Sequence, residues 1–225
     1  MPDSADKSVA VDAWLEAALL APDAALEGAL ERNAAANLPA IDVSPLQGRL
    51  LELLVRIAGA RRILEVGTLG GYSTICLARG AGPAGRVITL EYAPRHAEVA
   101  RANLDASGIG GQVEIRQGAA LDTLDAMIAA GEAPFDFIFV DADKVNNPNY
   151  LERALRLSRP GTVLLFDNVV REGRIIDRHL SDPMLEGTRA LFDRVRAAGL
   201  RATAVQTVGG KGWDGFLLTT VEADG

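Results

Sequence analysis

Apolar positions change their period along this chain, and the changes divide it into elements. Residues 10–32 (AVDAWLEAALLAPDAALEGALER) carry apolar side chains at helical spacing, which predicts one or two helices, with Pro22 either separating them or opening the second. Residues 44–59 (SPLQGRLLELLVRIAG) predict the next helix, with Ser44 placed to cap it ahead of Pro45. From there, short apolar runs alternate with longer helical stretches: RRILEVG, RVITLEY, QVEIRQG, FDFIFVD and TVLLFDN. Five strand–helix units in succession predict an α/β fold with a parallel, doubly wound sheet, because a crossover helix is what lets consecutive strands run in one direction. The tail breaks the alternation. RATAVQTVGGKGWDGFLLTTV reads as two strands around a glycine-rich turn, an antiparallel hairpin at the sheet edge.

Ligands of such sheets sit beyond the C-terminal ends of the strands, near the point where the strand order reverses. The residues closing each apolar run are therefore the candidates: Glu65-Val66-Gly67, Glu91, Gln117-Gly118, Asp141 and Asp167-Asn168. Four of the five runs close on an acid, and a carboxylate beside a buried strand costs free energy unless something pairs with it. In the first unit, ILEVGTLGGYST, the glycines Gly67, Gly70 and Gly71 permit a tight turn and close backbone approach to a ligand. Their spacing is neither the G-x-G-x-x-G of dinucleotide binders nor a phosphate loop ending in Gly-Lys-Ser/Thr, and a glycine turn can also serve packing alone. Glu91 strengthens the ligand reading, since it ends the next strand, where an acid accepts hydrogen bonds from a ribose diol and repels a 2′-phosphate. With no phosphate cradle, S-adenosylmethionine suits this pocket better than NAD, and Glu65 can face the positive part of that donor.

Asp141 closes the fourth run, and Asp167 with Asn168 closes the fifth. Two carboxylates and an amide oxygen, with no His or Cys nearby, describe a site for Mg²⁺, with Mn²⁺ or Ca²⁺ as alternatives. Each acid alone could instead cap the helix that follows it. Lys144 could neutralise a carboxylate of VDADK, Asp143 included.

Composition narrows the setting. At 225 residues, 48% hydrophobic and 24% charged, the chain suits one domain over 1–225, with 1–42 as a helical extension and 43–225 as the core. No apolar run reaches the ~18 residues of a membrane span, and the acidic start MPDSADKSVAVDAWL lacks the basic-then-apolar pattern of a secretion signal. The lone Cys76 reads as a small buried helix residue and, unable to form an internal disulfide, points to a reducing cytoplasm. A net charge of −7 argues against nucleic acid as a partner, and Arg171, Arg174 and Arg178 read as a solvated loop and helix face. His96 and His179 are expected to be exposed. Trp14 is expected in the core or at a dimer interface, and Trp213 either walls the site or packs at its turn.

ILEVGTLGGYST, TLEY, VDADK with Tyr150 six residues after the lysine, and FDNVVREG, in this order, resemble the cation-dependent S-adenosylmethionine O-methyltransferases. That family includes catechol and caffeoyl-CoA O-methyltransferases, and the likeness is greatest to its bacterial members, from about residue 35 to the end. The resemblance implies a Rossmann-like class I methyltransferase fold with a seven-stranded, mostly parallel sheet, a reversed last hairpin and N-terminal helices. It implies Asp141, Asp167 and Asn168 as metal ligands and Lys144 as general base, with the cation and partial burial favouring the neutral amine. Val43, Glu65, Gly67, Ser73, Glu91, Ala120 and Asp143 would contact the donor, Val43 and Ala120 partly through backbone groups, with Asp141 and Tyr150 alongside them. The implied acceptor is a small vicinal dihydroxyaryl compound, and a homodimer is common in the family. Its nearest rival is a hydroxylated uridine of tRNA, which bacterial relatives also methylate. Where plant members carry a tyrosine this chain has Asn147, and where they carry a tryptophan and an asparagine it has Arg171 and Glu172. Those departures fall where the acceptor should sit, so plant acceptors do not transfer.

Overall fold

The strands end in one row, and that row positions the site. The computed structural model describes residues 4–222; the first residues of the acidic N-terminus lie outside that range. The elements run α1 (Ser4–Leu19), α2 (Ala24–Ala35), α3 (Pro45–Ile57), β1 (Arg62–Val66), α4 (Tyr72–Ala81), β2 (Arg86–Glu91), α5 (Pro94–Ala106), β3 (Val113–Gln117), α6 (Ala120–Ala129), β4 (Phe135–Val140), α7 (Asn147–Arg156), β5 (Ser158–Asp167), α8 (Pro183–Ala197), β6 (Ala202–Thr207) and β7 (Asp214–Thr220). Pro22 separates two helices rather than opening one. It precedes Asp23, whose carboxylate accepts the Ala25 and Leu26 amides at 3.2 Å and so caps α2. Ser44 caps α3 as expected, accepting the Gln47 amide at 3.2 Å ahead of Pro45.

The seven strands form one sheet in the order β3-β2-β1-β4-β5-β7-β6. The first five in the chain are parallel, while β7 runs antiparallel to both β5 and β6. This is the predicted doubly wound sheet with a reversed terminal hairpin. The order reverses between β1 and β4, which makes their C-terminal ends the switch point.

Two apolar layers hold helices to the two faces. Ile63, Phe137, Phe139 and Leu165 face α3 and α4, while Leu64, Ile138, Val140, Leu164 and Phe166 face α6, α7 and α8. The alternation is the period-2 pattern of a strand buried on both sides. α2 is stitched to the glycine turn. Asn103 of α5 donates to Asn33 at 2.8 Å and to the Gly70 carbonyl at 2.7 Å, and a Cβ at Gly70 would stand 2.0 Å from Asn33 Oδ1. Among the described residues no helix is long and apolar enough to cross a membrane.

Candidate active site

Pairing register decides which predicted residues meet. Val66 is opposite Leu90 and Val140, and Val140 is opposite Phe166. One step further along each strand, Glu91, Gly67, Asp141 and Asp167 therefore form a row across the sheet. Neighbouring members are separated by about 4.8 Å, the spacing of paired strands. The row continues the ladder past the strand ends, with Gly67 donating to the Leu90 carbonyl at 3.0 Å and Asp141 to that of Val66 at 2.9 Å. Gly67 has φ +100°, and a Cβ there would stand 2.3 Å from the Asp141 carbonyl oxygen. Both Gly67 and Gly70 are thus approached by protein atoms, so close packing of the chain on itself is one reason for glycine at these two positions.

At the β1–β2 end the acids are fully engaged. Glu65 has no solvent exposure and accepts hydroxyls from Ser73 at 2.6 Å, Thr74 at 2.5 Å and Thr89 at 2.6 Å. Burial nevertheless pushes its carboxyl up to about 7, against the lowering effect of those hydroxyls. Glu91 is buried and accepts three backbone amides: Thr68 at 3.2 Å and Leu69 at 2.8 Å from the glycine turn, and Ala93 at 2.8 Å. His96, expected to be exposed, is half-buried, with Nδ1 3.4 Å from Glu91 Oε1, because the first turn of α5 folds back over the end of β2. Val43 is buried immediately before the cap of α3, and Ala120 opens α6 beyond β3.

At the β4–β5 end the groups are charged and close. Lys144 is buried, and its Nζ donates to Asp141 Oδ1 at 2.7 Å. The expected alternative, a pair with Asp143, is not formed. Asp143 instead accepts the Tyr150 hydroxyl and, at 2.7 Å, the Asn146 amide. Tyr150 is buried, and burial together with Asp143 raises its phenol above the ordinary range. Asp167 is 4% exposed, and burial, reinforced by the neighbouring charge of Asp141, raises its carboxyl well above the usual range. Gln47 Nε2 donates to Asp167 Oδ2 at 2.6 Å, and the Asn168 amide donates to Oδ1 at 2.8 Å. Asn168 is in the left-handed region, φ +57°, a conformation that Asn tolerates better than most side chains. Neither Asp141 nor Asp167 caps a helix.

Two adjacent carboxylates, one of them deeply buried, are costly without positive charge. Lys144 supplies part of it, and an Asn side chain lies next in the chain as a further oxygen donor. Among the described residues no three His, Cys, Asp or Glu side chains cluster as a metal site. Two carboxylates and one amide would suit a hard, oxygen-seeking cation that keeps open positions for other ligands. A cavity of about 330 Å³ opens beside it, lined by Ser44, Gln47, Leu50, Gln206, Lys211 and Phe216. Gln47 joins the two, since the same amide that borders the cavity holds Asp167.

Sequence reasoning missed Gln47, Thr89 and His96. Thr89 carried a signal, being a hydroxyl two residues before Glu91 in an otherwise apolar strand. Gln47 carried a weaker one, a polar side chain beside the buried face of an amphipathic helix. Cys76 is buried in α4 with its thiol pushed up to about 12, as a packing residue would be. Trp14 is 69% exposed and so is not in the core. Trp213 packs at its turn, its ring against Gly173 and its Nε1 on Gln206 Oε1 at 2.9 Å.

The O-methyltransferase family profile matches residues 21–206. The chain is 53% identical over 211 residues to a catechol O-methyltransferase of Mycobacterium tuberculosis, covering 94% of each. Among solved structures, an O-methyltransferase from Bacillus cereus in complex with SAH superposes with a TM-score of 0.94 at 53% identity, over 96% of this chain and 99% of the other. An O-methyltransferase from Streptomyces achromogenes involved in tomaymycin synthesis, in complex with SAM, gives 0.94 at 42% identity, over 99% and 100%. With strand order, switch-point acids and these likenesses together, the chain belongs to the O-methyltransferase family.

Proposed function

We propose that the chain moves the methyl group of S-adenosylmethionine to one hydroxyl of a small catechol-like acceptor, using a divalent cation, Mg²⁺ first, held by Asp141, Asp167 and Asn168. The observation that carries this reading is the pair of buried Lys144 with half-buried Asp141 at 2.7 Å, beside the buried carboxylate of Asp167 on the neighbouring strand end. The donor is supported by the SAH and SAM in the two solved relatives, and the acceptor class by the name of the mycobacterial relative.

Glu91 lies at the end of β2, where it would receive the ribose hydroxyls, while Glu65 and Ser73 lie toward the amino-acid part of the donor. Val43, Gly67, Ala120, Asp143 and Tyr150 complete that wall. A bound cation would stabilise the anionic form of a chelated hydroxyl. Lys144 accepts the proton, its amine held in place by Asp141 and shielded from bulk water by burial. The deprotonated oxygen attacks the sulfonium methyl in line, forming the C–O bond as the C–S bond breaks and leaving S-adenosylhomocysteine. Holding donor and acceptor in contact supplies roughly 7–11 kcal/mol of the barrier reduction. The reading includes a cytoplasmic homodimer with neither membrane nor nucleic acid as partner. Val11, Trp14 and Leu19, exposed on α1, offer an apolar face for that contact.

The test is methyl transfer to catechol and to 3,4-dihydroxybenzoate with Mg²⁺, then with EDTA. Turnover that EDTA abolishes and Mg²⁺ restores is expected. Turnover indifferent to EDTA removes the cation from Asp141, Asp167 and Asn168. Donor binding without turnover of any catechol moves the acceptor elsewhere, with hydroxylated uridine in tRNA next to be tried.

A further inference from the structure

Arg171 does not belong to the solvated basic cluster in which its sequence placed it. Arg174 pairs with Asp182 at 2.9 Å and Arg178 is exposed. Arg171 is half-buried, its Nε is buried without a partner, and its Nη2 meets only the thioether of Met184, at 3.8 Å. The other half-buried arginines among the described residues set their guanidinium groups on oxygen. Arg62 meets Glu132, for example, and Arg189 meets the carbonyls of residues 174, 175, 177 and 180. A guanidinium taken partly out of water with no oxygen acceptor bears an uncompensated cost.

The surrounding backbone is built to hold it there. Arg171 and Glu172 both have positive φ, 56° and 57°. The Val170 and Arg171 amides donate to Asp214 Oδ1 at 3.0 Å, and the Glu172 amide to the Trp213 carbonyl at 2.9 Å. The segment is thus pinned to the start of β7, next to the turn whose Val208, Gly209, Lys211 and Gly212 border the 330 Å³ cavity. Arg171 also lies three residues from Asn168, a span of at most about 10 Å of chain. That is the scale of an aromatic ring with a carboxyl group opposite its hydroxyls. A second buried group marks the same end of the sheet. Asn147 is 1% exposed and neither atom of its amide has a partner. It lies three residues after Lys144, and α8, which carries Met184, closes over this turn so tightly that a Cβ at Gly187 would stand 2.2 Å from the Lys144 carbonyl oxygen.

We infer that Arg171 is a specificity-determining residue whose guanidinium binds the carboxylate of the acceptor, so that the acceptor is an aryl carboxylic acid bearing the vicinal hydroxyls. This rests on the proposed catechol methyl transfer and narrows its substrate. The acid supplies the oxygens Arg171 lacks, and charge-assisted bonds of this kind are the strong ones.

The test compares kcat/KM for 3,4-dihydroxybenzoate and for catechol in the wild type, Arg171→Lys and Arg171→Asn, the last chosen because Asn tolerates positive φ. The ratio of acid to neutral acceptor is expected to fall roughly ten- to a hundredfold in Arg171→Asn, mainly through KM, with partial recovery in Arg171→Lys. Equal losses on both acceptors overturn the inference. If the wild type turns over neither acceptor, the proposed function fails by itself. Calorimetry of 3,4-dihydroxybenzoate and catechol with the donor-loaded protein then reads the Arg171 contact alone. Acid binding weakened selectively in Arg171→Asn supports it, and binding unchanged by the substitution overturns it.

Discussion

The two ends of the strand-end row are built differently. At the β1–β2 end every buried acid is satisfied by the protein itself, Glu65 by three hydroxyls and Glu91 by three amides. At the β4–β5 end, the Lys144–Asp141 ion pair and the Gln47–Asp167 hydrogen bond stand beside groups with nothing to bond, the Asn147 amide and Arg171 Nε. An unsatisfied buried polar group costs roughly 1–3 kcal/mol, and native proteins keep few of them. The first end is a finished frame. The second leaves polar groups without a protein partner, and it is there that the proposed function puts the acceptor.

The largest effect that would sharpen this contrast is at Lys144. As general base, Lys144→Ala should lower kcat by roughly 10²–10⁴-fold, the usual contribution of a positioned acid or base. Affinity for S-adenosylmethionine, measured by calorimetry, should change little, because the β1–β2 frame is untouched. Comparable losses in turnover and in donor affinity would break the division, making Lys144 a strut shared by both ends.

How much of this was readable beforehand follows the same division. Alternating apolar runs carried the fold, because a strand buried on both faces and a crossover helix each leave a period in the sequence. Strand-end acids were readable too, since a carboxylate closing an apolar run is costly without a purpose. Partners across the fold were not. Lys144 bonds Asp141 rather than adjacent Asp143 because the turn after β4 brings together residues three apart, a matter of backbone geometry. Gln47 reaches Asp167 across 120 positions of sequence. Arg171 looked like one of three solvated arginines until Asp214 was seen to pin its backbone and leave its guanidinium half-buried.

A smaller effect probes how finished the β1–β2 end is. The Glu65 carboxyl is raised from 4.5 to about 7 in the folded chain, so the folded state holds a proton that the unfolded state releases. The associated stability is fully present below pH ~4.5 and is lost as pH rises through about 7, worth up to about 3 kcal/mol for a shift of this size. Wild type minus Glu65→Gln, measured by urea unfolding between pH 5 and 8, should therefore decline with increasing pH. A flat difference would mean that the three hydroxyls keep Glu65 ionised throughout, and that the frame is even more complete than its burial suggests.

The smallest effect sets the two ends against each other directly. Thr89→Val removes a hydroxyl that donates to Glu65 at 2.6 Å and contacts the Thr68 hydroxyl at 2.6 Å, leaving both neighbours short. It should destabilise the protein by about 1–2 kcal/mol. Asn147→Leu removes an amide of similar volume that bonds nothing, so it should be neutral or stabilise by up to about 1 kcal/mol while lowering kcat/KM for the acceptor. Opposite signs in urea unfolding are the signature of one end completed by the protein and one left for a ligand. If Asn147→Leu instead costs as much as Thr89→Val, the Asn147 amide is already satisfied in solution, and only Arg171 is left to distinguish the β4–β5 end.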